Sequence, residues 1–82
     1  MIDYSKLLTS RIRFLCAQRT ISIHQFSKMG GGKSSTINDI LNGKTKNPSI
    51  KTIHEIASGF GLTVAEFLDF KEFNEAIIKN IK

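Results

Sequence analysis

Only one cysteine, Cys16, occurs in the 82 residues. That excludes an internal disulfide and any multi-cysteine zinc site. His24 and His54 stand thirty residues apart without metal-ligand spacing, and neither has a nucleophile to pair with. No metal, cofactor or enzymatic activity is therefore expected. Apolar residues never run beyond about four in succession, against the roughly 18 that a membrane span needs. The opening Met-Ile-Asp-Tyr also lacks the basic and apolar regions of a signal peptide. The expectation is a cytoplasmic protein with no membrane partner. A chain this short suits one domain with one core and is too small for the sheet and crossover helices of a nucleotide-binding fold.

Acid is also scarce, and unevenly so. Residues 11–51 carry eight basic groups (Arg11, Arg13, Arg19, Lys28, Lys33, Lys44, Lys46, Lys51) against Asp39 alone. Residues 52–82 reverse the balance, with Lys71, Lys79 and Lys82 against Glu55, Glu66, Asp69, Glu72 and Glu75. A single exposed lysine is ordinary solvated surface. A basic segment of this length suggests a polyanion, because neutralising phosphates releases their counterions.

What is present is helical periodicity. Leu8, Ile12 and Leu15 follow i, i+4, i+7 and predict a first helix over about 4–19, with Asp3 or Ser5 as its cap and its arginines directed away from the apolar stripe. Cys16 reads as a small packing residue on that helix. Ser22-Ile23-His24-Gln25 fits a capping box, flanked by Ile21 and Phe26 at staple positions, and starts a short second helix reaching about Met29. Thr36, Ile37, Ile40 and Leu41 indicate a third helix that stops at Gly43. Pro48 and Ser49 introduce a fourth, with Ile50, Ile53, Ile56, Ala57 and Phe60 on one face. Thr63-Val64-Ala65-Glu66 is a second capping box, with Leu62 and Phe67 as its staple, and opens a fifth helix. The spacing of Phe70, Phe73, Ile77 and Ile81 predicts a sixth. No β alternation competes, so the fold class is all-α: a compact bundle of five short helices plus a sixth at the C-terminus.

The stretch Met29-Gly30-Gly31-Gly32-Lys33-Ser34-Ser35 has the look of a phosphate loop. A Walker A loop, however, requires a glycine where this chain has Ser27, and follows a strand, whereas a capped helical pattern precedes this stretch. The glycines instead suit a turn in which Gly31, at positive φ, ends the second helix. Two short helices joined by a glycine turn inside a basic segment describe a helix-turn-helix.

The stretch SIHQFSKMGGGKSSTINDILNGKTKNPSIKTIHEIASGFGLTVAEFL, residues 22–68, resembles the lambda-repressor and Cro-like family, often called Xre-type regulators. Phe26 matches the leucine of that family's first motif helix, and Ile37 and Ile40 match its recognition-helix core. LNGKTKNPS, residues 41–49, is similar to its glycine, basic loop and proline. The resemblance implies a sequence-specific, non-enzymatic regulator of transcription, a repressor, with a double-stranded DNA operator as partner and a homodimer on it. No small-molecule effector is evident. In such folds the second motif helix enters the major groove. Carried onto this chain, the residues facing bases are Lys33, Ser34, Ser35, Asn38 and Asp39, where Asn38 suits adenine, Lys33 guanine and Asp39 cytosine. Ser22, Gln25, Lys28, Lys44, Lys46 and Asn47 are the implied phosphate contacts, with Lys51 a weaker one. The chain departs from the family at Ile23, where a glutamine is usual, at Ser27 and at Gly32. Cys16 and Leu41 stand where many members have an arginine–glutamate ion pair. Replacing both charges together leaves neither one buried alone.

The division expected is 1–69 for the helix-turn-helix domain and 70–82 for an amphipathic helix. Phe70, Phe73, Ile77 and Ile81 on that helix serve either to extend the core or to join two subunits. A competing class is an antitoxin-like or other protein-interaction module on the same fold, since fold alone does not fix function. It would present a large exposed apolar surface.

Overall fold

The computed structural model describes residues 2–28, 34–44 and 47–80; for Ser34, Ser35, Thr36 and Asn80 it describes the backbone alone. Six helices follow one another: α1 Tyr4–Gln18, α2 Ile23–Lys28, α3 Ser34–Leu41, α4 Ile50–Gly59, α5 Val64–Leu68 and α6 Lys71–Asn80. No strand occurs among the described residues, in keeping with the all-α expectation. α1 packs against α2 and α3, α2 against α3, and α4 against α5. The core between them is built from Leu8, Ile12, Leu15, Phe26, Ile37, Ile40, Ile53, Ile56, Phe60 and Phe67, together with Cys16 and Ala57. Burying each large apolar side chain contributes roughly 1.5–3 kcal/mol, which these short helices need because they are marginal alone.

One local device occurs twice and sets the angles between helices. At the end of α1, the Ile21 amide donates to Cys16 O and the Thr20 amide to Ala17 O. At the end of α4, Leu62 donates to Ala57 O and Gly61 to Ser58 O. Both are Schellman turns, and each runs directly into a capping box. In the first box the Gln25 amide donates to Ser22 Oγ at 3.0 Å, and the Ser22 amide donates to Gln25 Oε1 at 2.8 Å. In the second, Thr63 and Glu66 exchange the same two bonds, each at 3.0 Å. The two connectors also hold each other, since Arg19 donates through Nη2 to Phe60 O and its guanidinium lies 5.2 Å from the centre of the Phe60 ring. Phe26 stacks on Phe60 with centroids 3.9 Å apart, and Phe67 lies 6.4 Å from Phe60. The staple residue of each box thus meets the same ring.

Several expectations change in detail. Asp3, not Ser5, caps α1: its side chain accepts from the Lys6 amide at 3.1 Å, while Ser5 is buried. Ile50 does not share the buried face of α4. It is 67% exposed: its bearing is close to that of Ala57, seven positions on, but as the helix's first residue it stands a turn before the buried stripe of Ile53, Ile56 and Ala57. Phe60 lies one residue beyond α4, as its C-cap, and is buried there. The arginines of α1 do not all turn to solvent. Arg13 is exposed, whereas Arg11 is half-buried against α5. Gly43 ends α3 at φ +73°, as its position suggests. Met29 and the glycines Gly30, Gly31 and Gly32 lie outside the described residues.

α6 begins after Phe70, which is 9% exposed and lies 5.6 Å, ring to ring, from Phe73. Phe73 and Ile77 are half-buried, Ile78 is 68% exposed, and Ile81 lies outside the described residues. One side of α6 lines a groove with Ala65, Glu66 and Leu68 of α5, and another side lines one with Ile2, Asp3, Lys6 and Leu7 at the start of α1. Among the described residues no helix is long and apolar enough to cross a membrane.

Candidate nucleic-acid interface

Of the residues assigned to DNA, those described stand at α2, on α3 and in the segment after it. α3 directs Ile37 and Ile40 inward, 0% and 1% exposed, so the remaining side of the helix must carry the polar residues. Asn38 is exposed there and Asp39 half-buried. Ser34 and Ser35 form the first turn of α3, and Lys33, just before it, lies outside the described residues. A third Schellman turn closes the helix, with Lys44 N donating to Asp39 O at 2.9 Å and Gly43 N to Ile40 O at 3.2 Å. This fixes the exposed Lys44 immediately beyond the end of α3. Asn47 is exposed, and Lys46 lies outside the described residues. Thr9 of α1 reaches the same helix end, its hydroxyl 3.5 Å from Ile40 O.

The capping box at α2 leaves a useful surplus of donors. Ser22 Oγ and Gln25 Oε1 act as acceptors within the box. The Ser22 hydroxyl proton and the Gln25 amide group remain free of it, and donors are what a phosphate oxygen takes. Both residues are exposed, as are His24 beside them and Lys28 at the helix end. Ile23, at the usual glutamine position, is half-buried and packs on the core, so it offers no polar group.

Charge supports the same surface. Among the described residues the ion pair is Lys71–Glu75, at 4.0 Å on α6. Among the described residues Arg13, Lys28, Lys44 and Lys51 have no carboxylate partner. Two other cations are committed to the fold, which the residue count does not reveal. Arg19 joins the two connectors, and Arg11 donates from Nε to Phe67 O at 2.8 Å and from Nη2 to Glu66 O at 3.1 Å. Arg11 also sits over Phe70 and Phe14, 5.2 and 5.8 Å from the ring centres. It lies next to Ile12 at the edge of the α1 stripe, the one sequence signal that it could face inward. Cys16 is 3% exposed, and burial pushes its thiol pKa up against a smaller opposing effect of Arg19. Leu41 is half-buried on the core, so both members of the missing ion pair are accommodated as apolar groups.

The model of the Cro/C1-type helix-turn-helix DNA-binding domain matches residues 11–72, most of the chain. The chain belongs to this family. A crystal structure of the prophage Lp1 protein 11 is similar to it, with a TM-score of 0.74 and 27% identity over 90% of this chain and 97% of that one. No curated protein matches the chain in sequence. Membership makes this Cro/C1-type domain a DNA-binding one, and the α2–α3 pair described above is its helix-turn-helix.

Proposed function

We propose that this Cro/C1-type protein is a sequence-specific regulator of transcription, a repressor, that binds its operator as a homodimer. α3 enters the major groove, where Lys33, Ser34, Ser35, Asn38 and Asp39 face base edges. Ser22, Gln25, Lys28, Lys44, Lys46 and Asn47 hold the flanking phosphates and fix the register. The observation that carries this reading is the match of the DNA-binding family over residues 11–72, joined to cations on and around the motif that have no carboxylate partner among the described residues. The action is docking, with no bond made or broken. The antitoxin-like alternative draws on the exposed Phe14, Ile50 and Ile78, but these stand on α1, α4 and α6.

Titration of the full chain with random duplex DNA at two salt concentrations tests the reading. About four to six phosphate contacts per subunit give a log–log slope near −4 to −5. Binding that ignores salt, or no binding at low salt, would sink it.

A further inference from the structure

Asn42 stands directly beyond α3 and is followed by Gly43. Asparagine amides are labile, because the backbone nitrogen of the next residue can attack the side-chain carbonyl. A side chain on that next residue obstructs the approach, and glycine has none. The other asparagines are placed less favourably. Asn38 and Asn74 lie inside helices, before Asp39 and Glu75, and Asn80 precedes Ile81. Asn47 precedes Pro48, whose nitrogen carries no proton. The Asn74 amide is also tied to Asp69. Asn42 is exposed, and among the described residues its side-chain amide has no hydrogen-bond partner. Gly43 lies at φ +73°, and nothing stands within 4 Å of the position a Cβ would take, so its outer side is open to water.

We propose that Asn42 is a modification site, where loss of the side-chain amide turns the free chain into a weaker DNA binder. The proposal rests on the DNA-binding reading above. The Gly43 nitrogen bonds to Asn42 Cγ, the bond from Cγ to Nδ2 breaks, and ammonia leaves with the proton that the Gly43 amide gives up. Water then opens the cyclic imide at one carbonyl or the other, leaving aspartate or isoaspartate at position 42. Water enters and ammonia leaves, with no oxidant or reductant. The product lowers the net charge of +5 by one. Its carboxylate stands two residues before Lys44, a proposed phosphate contact, and at the end of α3, where helix carbonyls already concentrate negative charge. The isoaspartate form also lengthens the backbone inside the turn that fixes Lys44.

DNA controls the rate. In the closed turn the Gly43 amide donates to Ile40 O at 3.2 Å, flanked by the bonds from Asn42 to Asn38 O and from Lys44 to Asp39 O, each at 2.9 Å. The nitrogen attacks when this turn opens. A duplex docked on α3 and Lys44 binds the closed turn, so bound chains keep the amide and unbound chains lose it. Position 42 is thus a clock that retires chains left without an operator.

The test incubates the full chain in warm, mildly alkaline, low-salt buffer under three conditions: free, with excess random duplex of about 30 base pairs, two half-sites in length, and in urea. Peptide mass spectrometry and enzymatic isoaspartate labelling follow each asparagine. Conversion at Asn42 is expected fastest in urea, slower in the free chain and about tenfold slower again on DNA. The aged free chain and fresh Asn42→Asp should both bind random duplex about tenfold more weakly at about 0.1 M salt, with a slope flatter by about one unit. Asn42→Gln, which closes the ring far more slowly, should bind alike before and after ageing. A free chain that keeps the amide while the urea sample loses it overturns the proposal. So do equal rates with and without duplex, conversion spread evenly over the asparagines, a converted chain that binds like a fresh one, or an aged Asn42→Gln chain that weakens as wild type does. All of these leave DNA binding standing. If the fresh chain binds no duplex at low salt, the DNA-binding reading fails, and mass alone decides the site: loss of the Asn42 amide in the free chain supports it, and retention overturns it.

Discussion

Arg11 and Phe67 lie 56 positions apart in sequence, yet the Arg11 Nε–H donates to the Phe67 carbonyl at 2.8 Å and its Nη2 to the preceding carbonyl of Glu66. The last carbonyls of a helix have no partner within it. A guanidinium suits them through both its charge and its two parallel donors. Arg11 therefore closes α5 and ties it to α1. Its replacement by alanine is expected to lower stability by about 2 kcal/mol, with lysine rescuing little because it lacks the fork. The salt slope of DNA binding should stay the same. A slope reduced by one unit with stability intact would move Arg11 to the DNA.

Thr20 and Gly61 occupy the same place in the Schellman turns that end α1 and α4, at φ +57° and +72°. Only the second is a glycine. A β-branched residue in left-handed geometry is strained by roughly 1–2 kcal/mol, part of which glycine would return as extra freedom of the unfolded chain. Thr20→Gly is thus expected to raise stability by about 0.5–1 kcal/mol in urea unfolding. Gly61→Ala should lower it by about 1 kcal/mol, although nothing lies within 4 Å of the added Cβ. Equal effects of the two substitutions would mean that the turns are not equivalent.

The legible parts of the fold were those governed by neighbours in sequence. Both capping boxes, their staples, the stop at Gly43 and the apolar faces of α1 and α3 depend on spacings of three or four residues, and each appears where its pattern stands. Arg11 and Arg19 were illegible for the opposite reason. Their partners are carbonyls that every residue possesses, brought near by the tertiary fold, so no side-chain type marks them. Thr20 was hidden because the turn forms without the residue that normally signals it. Ile50 was misplaced because a helix's first residue has no preceding turn to pack beside. The candidate site is legible only through the family's positions: Asn38 and Lys44 are exposed as that reading requires, but exposure is common to most polar residues.

Cys16 links stability to alkaline pH. Burial raises its thiol pKa above the ordinary value, so the folded chain keeps a proton that the unfolded chain gives up. The associated stability is full below the ordinary thiol range and is lost as pH rises through the folded value. Urea midpoints of wild type should therefore fall more steeply than those of Cys16→Ala above that range. Thiol reagents should label Cys16 only as fast as the chain opens. Parallel pH curves would show that the buried thiol does not contribute.

On DNA, Lys44→Ala and Lys46→Ala are each expected to flatten the salt slope by about one unit on any duplex. Asn38→Ala should behave differently, losing about 1–3 kcal/mol on the operator and almost nothing on random sequence. Competition titrations separate the two kinds of loss. Equal losses for Asn38→Ala on both DNAs would make it a positioning residue.

A boundary after residue 69 would cut through a packed ring. Phe70 is 9% exposed, lies beneath the Arg11 guanidinium and touches Phe73, so it belongs to the body of the domain although α6 begins only after it. Its carbonyl accepts from the Asn74 amide at 3.0 Å, and Asn74 Nδ2 donates to Asp69 Oδ1 at 3.1 Å, which fastens the first turn of α6 to the same point. Farther along, the hold weakens: Ile77 is half-buried and Ile78 mostly exposed. Phe70→Ala is therefore expected to lower stability by about 3–5 kcal/mol, and Ile78→Ala by no more than about 0.5 kcal/mol. Ile77→Ala should fall between them. Truncation after Asp69 removes all three side chains and should lose at least as much as Phe70→Ala, enough to abolish cooperative unfolding in a domain of ordinary stability. Thermal melts of the four chains decide the matter. If the truncated chain melts like wild type, residues 70–82 form a separate appendage and the ring packing of Phe70 stabilises nothing.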